Sequence, residues 1–195
     1  MKKPLYAAIV LAALSAPAQA DWSFNPYVGV DYQLTRLSYA DDIDGGHDNF
    51  SGANIHVGNR FNDHFGLELG YFRTTEKSSS GIVAATPYTL KGRLQGVSFD
   101  ALGYVPVTAD RSLELIGTAG LAYTHGKLDM NVGGTPFSDT DNAFGFRIGG
   151  GAQYNITSNF NVRGLVRFQT VNLDAAGTDV TDNAWALSLG ANYQF

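Results

Sequence analysis

From residue 28 to residue 195 the chain keeps returning to one rhythm: an apolar side chain, a small or polar one, then an apolar one again. A repeat of two belongs to a β-strand with two unlike faces, whereas a helix with one apolar stripe repeats every 3.6 residues. Eight segments carry it. Val28, Val30, Tyr32 and Leu34 alternate with Gly29, Asp31, Gln33 and Thr35. Ala53, Ile55, Val57 and Phe61 stand opposite Asn54, His56, Gly58 and Arg60. Leu67, Leu69 and Tyr71 oppose Glu68, Gly70 and Phe72, and Val97, Phe99, Ala101 and Val105 oppose Gly96, Ser98 and Asp100. The second half repeats the scheme around Glu114, Arg147, Arg163 and Arg167, and ends on Trp185, Leu187, Leu189, Ala191, Tyr193 and Phe195.

Alternation fits a soluble barrel as well as one in lipid, and three features separate them. The first is where charge falls. Asp31, Arg60, Glu68, Asp100, Glu114, Arg147, Arg163 and Arg167 all lie on the small-polar faces, and the middles of the apolar faces carry almost no charge. A soluble barrel needs the reverse, a greasy inside and a charged outside. In lipid, a charge at mid-bilayer on the outer face costs about 2–4 kcal/mol. The second is the spacing between segments. Long stretches at 40–52, 75–88, 126–141 and 174–183 alternate with short ones at 62–64, 106–112 and 155–159. Long outer loops and short inner turns are the plan of an outer-membrane barrel. The third is aromatic placement. On the apolar faces, Phe61, Tyr154, Phe160, Tyr193 and Phe195 lie near the short turns, and Tyr71, Tyr123, Phe168 and Trp185 near the long stretches. Two girdles bracketing an apolar band are expected at the two membrane interfaces.

The sequence therefore predicts an all-β, closed, antiparallel eight-stranded transmembrane β-barrel over residues 21–195, with both termini in the periplasm. Residues 1–20 read as a cleaved secretory signal: Lys2 and Lys3, an apolar run at 5–14, and a small-x-small cleavage site at Ala18 and Ala20. After it, no apolar window is long enough for a membrane-spanning helix. The chain has no Cys, which leaves neither a disulfide framework nor a lipidated N-terminal cysteine. Charged residues make up 16%, below the roughly 25% usual in soluble domains. The net charge of -5 offers nothing to nucleic acid.

The last strand, AWALSLGANYQF, ends in Phe195 with Tyr193 two residues before it. It resembles the C-terminal signal read by the bacterial barrel-assembly machinery. VGNRFNDHFGLELGY (57–71) resembles the second hairpin of the OmpA-type and opacity-protein-like outer membrane β-barrel family, and LIGTAGLAY (115–123) its Gly-rich fifth strand. The resemblance implies location in the outer membrane of a Gram-negative bacterium, with the assembly machinery and periplasmic chaperones as partners in biogenesis. It also implies that inward ions form a buried network, with Glu68 and Glu114 pairing with Arg147, Arg163 or Arg167. OmpA carries a peptidoglycan-binding domain after its barrel, and none is expected here.

Eight strands leave an interior just wide enough for side chains, so the inner charges are expected to hold the barrel together, and a wide solute pore is not. The expected role is structural and interactive: membrane integrity, and four surface loops displayed to host or cell-surface ligands. A small-conductance ion path or porin-like lumen is the competing expectation. Arg36, Arg73, Arg93 and Lys127 share the apolar parity just past the band, at the height of lipopolysaccharide phosphates, which a guanidinium fork suits. Ordinary solvated strand ends are the simpler account of them. No enzyme, cofactor or metal site is expected. Of the four histidines, His47, His56, His64 and His125, none stands beside a Ser or acid in a recognisable catalytic set. The acidic stretch Asp41, Asp42, Asp44, His47 and Asp48 lacks the spacing of a calcium loop.

Overall fold

The computed structural model describes residues 23–38, 48–83, 86–175 and 178–195. The leader, with Ala18 and Ala20, lies outside them, as do Asp41, Asp42, Asp44 and His47. Among the described residues nine strands form one antiparallel sheet: β1 (Asn25–Ser38), β2 (Asp48–Arg60), β3 (Phe65–Thr74), β4 (Lys77–Val83), β5 (Thr86–Pro106), β6 (Leu113–Val132), β7 (Thr135–Asn155), β8 (Phe160–Ala175) and β9 (Thr178–Gln194). β3 pairs with β5 and β9 with β1, so eight of the strands close into a ring. β4 continues β3 beyond Thr75 and Glu76, pairing higher up the same neighbour, β5. The result is a closed antiparallel eight-stranded transmembrane β-barrel. Closure matters in lipid because it leaves no edge whose backbone N–H and C=O groups go unpaired.

The alternation emerges as a strict in-out pattern. Along β6 it holds from Glu114 to Thr124 and is lost beyond. Along β5 it runs from Gly96 to Val105, and on β7 from Ala143 to Ile148 before glycines interrupt it. The runs on β5 and β6 match the roughly 9–11 residues that a tilted strand needs to cross a bilayer. The outward set is an apolar belt: Tyr32, Ile55, Leu69, Phe99, Ile148 and Leu189 are each more than half exposed. Aromatics stand at both ends of it. Phe168 and Trp185 pack edge to face at 5.0 Å on neighbouring strands, and Tyr193 and Phe195 at 5.3 Å along β9.

The three short turns close by local chemistry. At 61–65 the Asn62 carboxamide accepts from the His64 N–H at 2.8 Å, and at 156–159 the Thr157 hydroxyl accepts from the Phe160 N–H at 3.0 Å. Between β5 and β6 the Asp110 carboxylate accepts from the Ser112 N–H, and Arg111 sits in the left-handed region at φ 57°.

The long connections differ from the sequence expectation. Stretches 75–88, 126–141 and 174–183 were expected as loops, and they are mostly paired strand. β6 and β7 stay in register up to Val132 opposite Thr135, around Gly133 and Gly134, whose φ values are 59° and 88°. Two positive φ angles make a type I′ turn, whose twist matches that of the flanking strands. β4 pairs with β5 over 77–92, and β8 with β9 up to Ala175 opposite Thr178. Of 40–52, residues 48–52 belong to β2 and the rest lie outside the described residues.

The lumen also departs from expectation, in not being uniformly polar. Leu102, Tyr104, Ile116 and Leu165 form a buried inward cluster. A second one, of Leu37, Phe50, Ala143 and Ala184 with Leu94 against it, lies toward the long-hairpin end.

Candidate functional site

The eight inward charges converge in the lumen. Arg163, on β8, is the hub: its Nε and Nη2 donate to the two carboxylate oxygens of Asp31 at 3.1 and 2.9 Å. Its Nη1 donates to Glu68 Oε2 at 2.6 Å, and Nη2 reaches Glu68 Oε1 at 3.1 Å. The carboxylates have further donors. Tyr27 Oη donates to Glu68 at 3.0 Å and Asn54 Nδ2 to Asp31 at 3.0 Å. Asp31 and Asp100 are 0% exposed, Glu68 and Glu114 1%. Ions this deep need both a counter-charge and hydrogen bonds to offset lost hydration, and Arg163 supplies both to two acids at once.

His56 joins the hub through its ring. Nε2 lies 2.6 Å from Asn192 Oδ1, an acceptor, while Nδ1 faces donors on Arg163 at 3.2 Å and Asn54 at 3.4 Å. These neighbours assign the proton to Nε2 and leave Nδ1 as acceptor, a neutral ring. Asn192 passes the chain on to Asn161 at 2.8 Å.

Two further pairs flank the hub. Arg147 makes a two-pronged bond to Asp100. Arg60 grips Glu114 with Nη1 and Nη2 at 2.9 and 2.8 Å, its guanidinium 4.3 Å above the Tyr104 ring. Two expected pairings therefore change: Glu114 meets Arg60, and Arg147 meets an aspartate. Glu114 rises from the short-turn end of β6 and Arg60 closes the same end of β2, so they share one mouth of the barrel. Arg167 is the least engaged ion, 3.6 Å from Glu68 Oε1 and 3.5 Å from Ser188 Oγ. Glu68 is already saturated by Arg163.

The polar partners Tyr27, Asn54, Asn161 and Asn192 were not singled out from the sequence. Inward parity was the available signal for Asn54, Asn161 and Asn192, and Tyr27 precedes the first alternating segment. Space for these groups comes from glycine. A Cβ on Gly58 would lie 2.3 Å from the Tyr27 ring, and one on Gly190 2.0 Å from Asp31 Oδ1.

Along the lumen, a polar vestibule of about 230 Å³, lined by Arg60, Arg111 and Glu114 among others, opens at the short-turn end. A cavity of about 50 Å³ lies beside Arg147 and Arg167 toward the other end. Between them stand Tyr27, Leu102, Tyr104, Ile116, Leu165 and Arg163, each 6% exposed or less.

On the outer surface, Arg36 and Arg73 are exposed and Arg93 and Lys127 half-buried. Arg93 and Lys127 face each other directly across β5 and β6. Lys127 pairs with Asp129 at 2.9 Å; among the described residues Arg36, Arg73 and Arg93 have no acidic partner. His125 meets Asn142 at 2.7 Å and His64 the Tyr104 carbonyl at 3.1 Å. Among the described residues no three His, Cys, Asp or Glu side chains are placed to hold a metal.

An apolar belt between aromatic rings, around a closed ring of strands with ions inside, defines an outer-membrane β-barrel protein. The chain belongs to the outer membrane protein beta-barrel domain family, whose model matches residues 6–195. Among solved structures it is similar to Ail, the attachment invasion locus protein of Yersinia pestis, at 20% identity and TM-score 0.59, covering 89% of this chain and 99% of that one. Neisserial surface protein A is similar at 17% identity and TM-score 0.60, with coverages of 87% and 97%. OprG from Pseudomonas aeruginosa is similar at 13% identity and TM-score 0.53, with coverages of 91% and 98%. No curated protein sequence matches the chain.

Proposed function

We propose that the protein is a sealed, non-enzymatic barrel that strengthens the outer membrane and carries its long hairpins to the cell exterior as an interaction surface. The observation that carries this reading is the filled lumen: buried side chains and the ion network centred on Arg163 lie between the two end cavities. The small-channel reading requires ions to pass that layer. In this proposal residues 1–20 direct export and are removed after Ala20, both termini lie in the periplasm, and Tyr193 and Phe195 present the assembly signal to the barrel-assembly machinery. Periplasmic chaperones hold the chain before insertion. The hairpins built on β4 to β9 are the ligand-bearing elements, because extramembrane segments on a rigid scaffold are where recognition concentrates.

Arg36, Arg73, Arg93 and Lys127 would meet lipopolysaccharide phosphates. Two cations directly opposite on neighbouring strands repel, and an anion from the lipid between Arg93 and Lys127 relieves that. Replacing all four with Gln is expected to lower lipopolysaccharide co-purification; unchanged co-purification would sink the lipid contact.

A deletion strain tests the role itself. Loss of the protein is expected to increase entry of large antibiotics and detergents, and wild type is expected to restore the barrier. A variant with the 126–141 hairpin cut back to a two-residue turn is expected to restore the barrier without restoring surface binding. An intact barrier and unchanged binding in the deletion strain would contradict the reading.

A further inference from the structure

The cavity beside Arg167 has a composition that the sealing role does not require. Arg167 is 4% exposed, and its Nε and Nη2 make no hydrogen bond. Its nearest carboxylates are occupied: Glu68 by Arg163 at 2.6 and 3.1 Å, Asp100 by Arg147. A buried guanidinium with unmet donors carries a large penalty unless something accepts from it. The cavity it lines, about 50 Å³, has two guanidiniums in its wall and no carboxylate. Two hydroxyls in the same wall have a proton to give. Thr35 Oγ1 already accepts from Gln33 at 2.8 Å and Thr124 Oγ1 from Gln169 at 3.1 Å. The rest of the wall is chiefly apolar, with Leu37 and Phe72 prominent.

We infer that this cavity is a binding site for a small, weakly hydrated monovalent anion, chloride in ordinary media, held by Arg167 with Thr35 and Thr124. The size fits, since one water needs about 10–15 Å³ of such space, leaving room for a halide and a water. The charge fits, because the carboxylate beside Arg167, Glu68 Oε1 at 3.6 Å, is shared with Arg163, which holds it more closely. The apolar wall sets the order of preference. An anion that gives up hydration cheaply enters, so bromide binds better than chloride and chloride better than fluoride; doubly charged sulfate stays out. The bound anion completes the charge pairing of the lumen at the point where the protein's own acids are already committed.

The test uses the folded full-length protein in detergent micelles. Crystals soaked in sodium bromide are expected to show an anomalous peak within hydrogen-bond reach of Arg167 Nε. In solution, the midpoint of thermal unfolding is expected to rise and saturate with bromide, less with chloride, and not with fluoride at equal ionic strength. General salt effects run the other way, because strongly hydrated anions favour the folded state. Arg167→Gln is expected to lose the halide dependence. Thr35→Val keeps the charge and is expected to need several-fold more bromide for the same shift, so it decides the matter if Arg167→Gln does not fold. Water alone in the cavity of bromide-soaked crystals, or a halide order unchanged in both variants, would overturn the proposal.

Discussion

Arg163 donates to two carboxylates and one imidazole, so its loss exposes more than one uncompensated charge. Arg163→Met is expected to destabilise the barrel by about 3–5 kcal/mol, the usual cost of removing one partner from a buried ion pair. Urea titration of folding into lipid vesicles measures it; a loss under 1 kcal/mol would mean that the acids find other partners. Packing beside the hub is equally exacting. A Cβ on Gly190 meets Asp31 Oδ1 and, at 2.4 Å, the Val30 carbonyl, which cannot move without breaking the ladder, whereas nothing lies within 4 Å of one on Gly117. Gly190→Ala is therefore expected to cost at least about 1–3 kcal/mol and Gly117→Ala close to nothing, in the same titration. The eight inward charges were legible in the sequence because a charge stands out among small residues on one parity. Their partners were not, since pairing depends on which strand ends meet across the lumen. Arg60 finds Glu114 because both lie at one mouth, 54 positions apart in the chain. Leu102, Tyr104, Ile116 and Leu165 were hidden for another reason. Apolar neighbours such as Val105, Leu115 and Val166 mask the inward member of each run.

At the scale of elements, the hairpins show what alternation leaves out. β5, β6 and β7 have 21, 20 and 21 residues, about twice what a bilayer crossing needs. Beyond the lipid the apolar-polar contrast fades, so the sequence there looks like a loop although the backbone pairing continues. The Gly133-Gly134 pair was the signal that could have revealed the hairpin, as a type I′ turn between strands. The short turns were legible, but the bond that ties two of them together was not. Arg111 Nη1, on the β5–β6 turn, lies 2.5 Å from Asp63 Oδ1 on the β2–β3 turn. The hydrogen bond and charge of Arg111 hold the Asp63 carboxyl below its usual range. A carboxyl depressed in the folded state adds stability above its unfolded pKa, about 3.9, and that contribution is lost as pH falls through the lower folded value. The difference in unfolding midpoint between wild type and Asp63→Asn is thus expected to be constant above about pH 5 and to shrink toward zero in stronger acid. A difference that grows with acidity would contradict the assignment.

For the whole molecule, the apolar belt and the lumen are two halves of one arrangement: charge stays inside because the outside is lipid. Ile148 lies on the belt and its neighbour Arg147 faces inward. Ile148→Arg is expected to cost about 2–4 kcal/mol of folding free energy in vesicles if the position lies near the bilayer midplane, and far less in a detergent whose head groups reach the belt. Equal costs in both media would mean that the belt does not sit in lipid. The central claim is that the ion network and the buried rings around it close the lumen. Single-channel recording in planar bilayers tests this most directly, with a gel comparison of boiled and unboiled protein to show that the sample is folded. The closed account predicts a folded, heat-modifiable barrel without discrete conductance steps. It also predicts that replacing Leu102, Tyr104 and Leu165 together with Ala in the folded barrel opens small steps. Discrete conductance in the wild-type barrel, altered by Arg147→Ala or Glu68→Ala, would contradict it and make the charge network the lining of a channel.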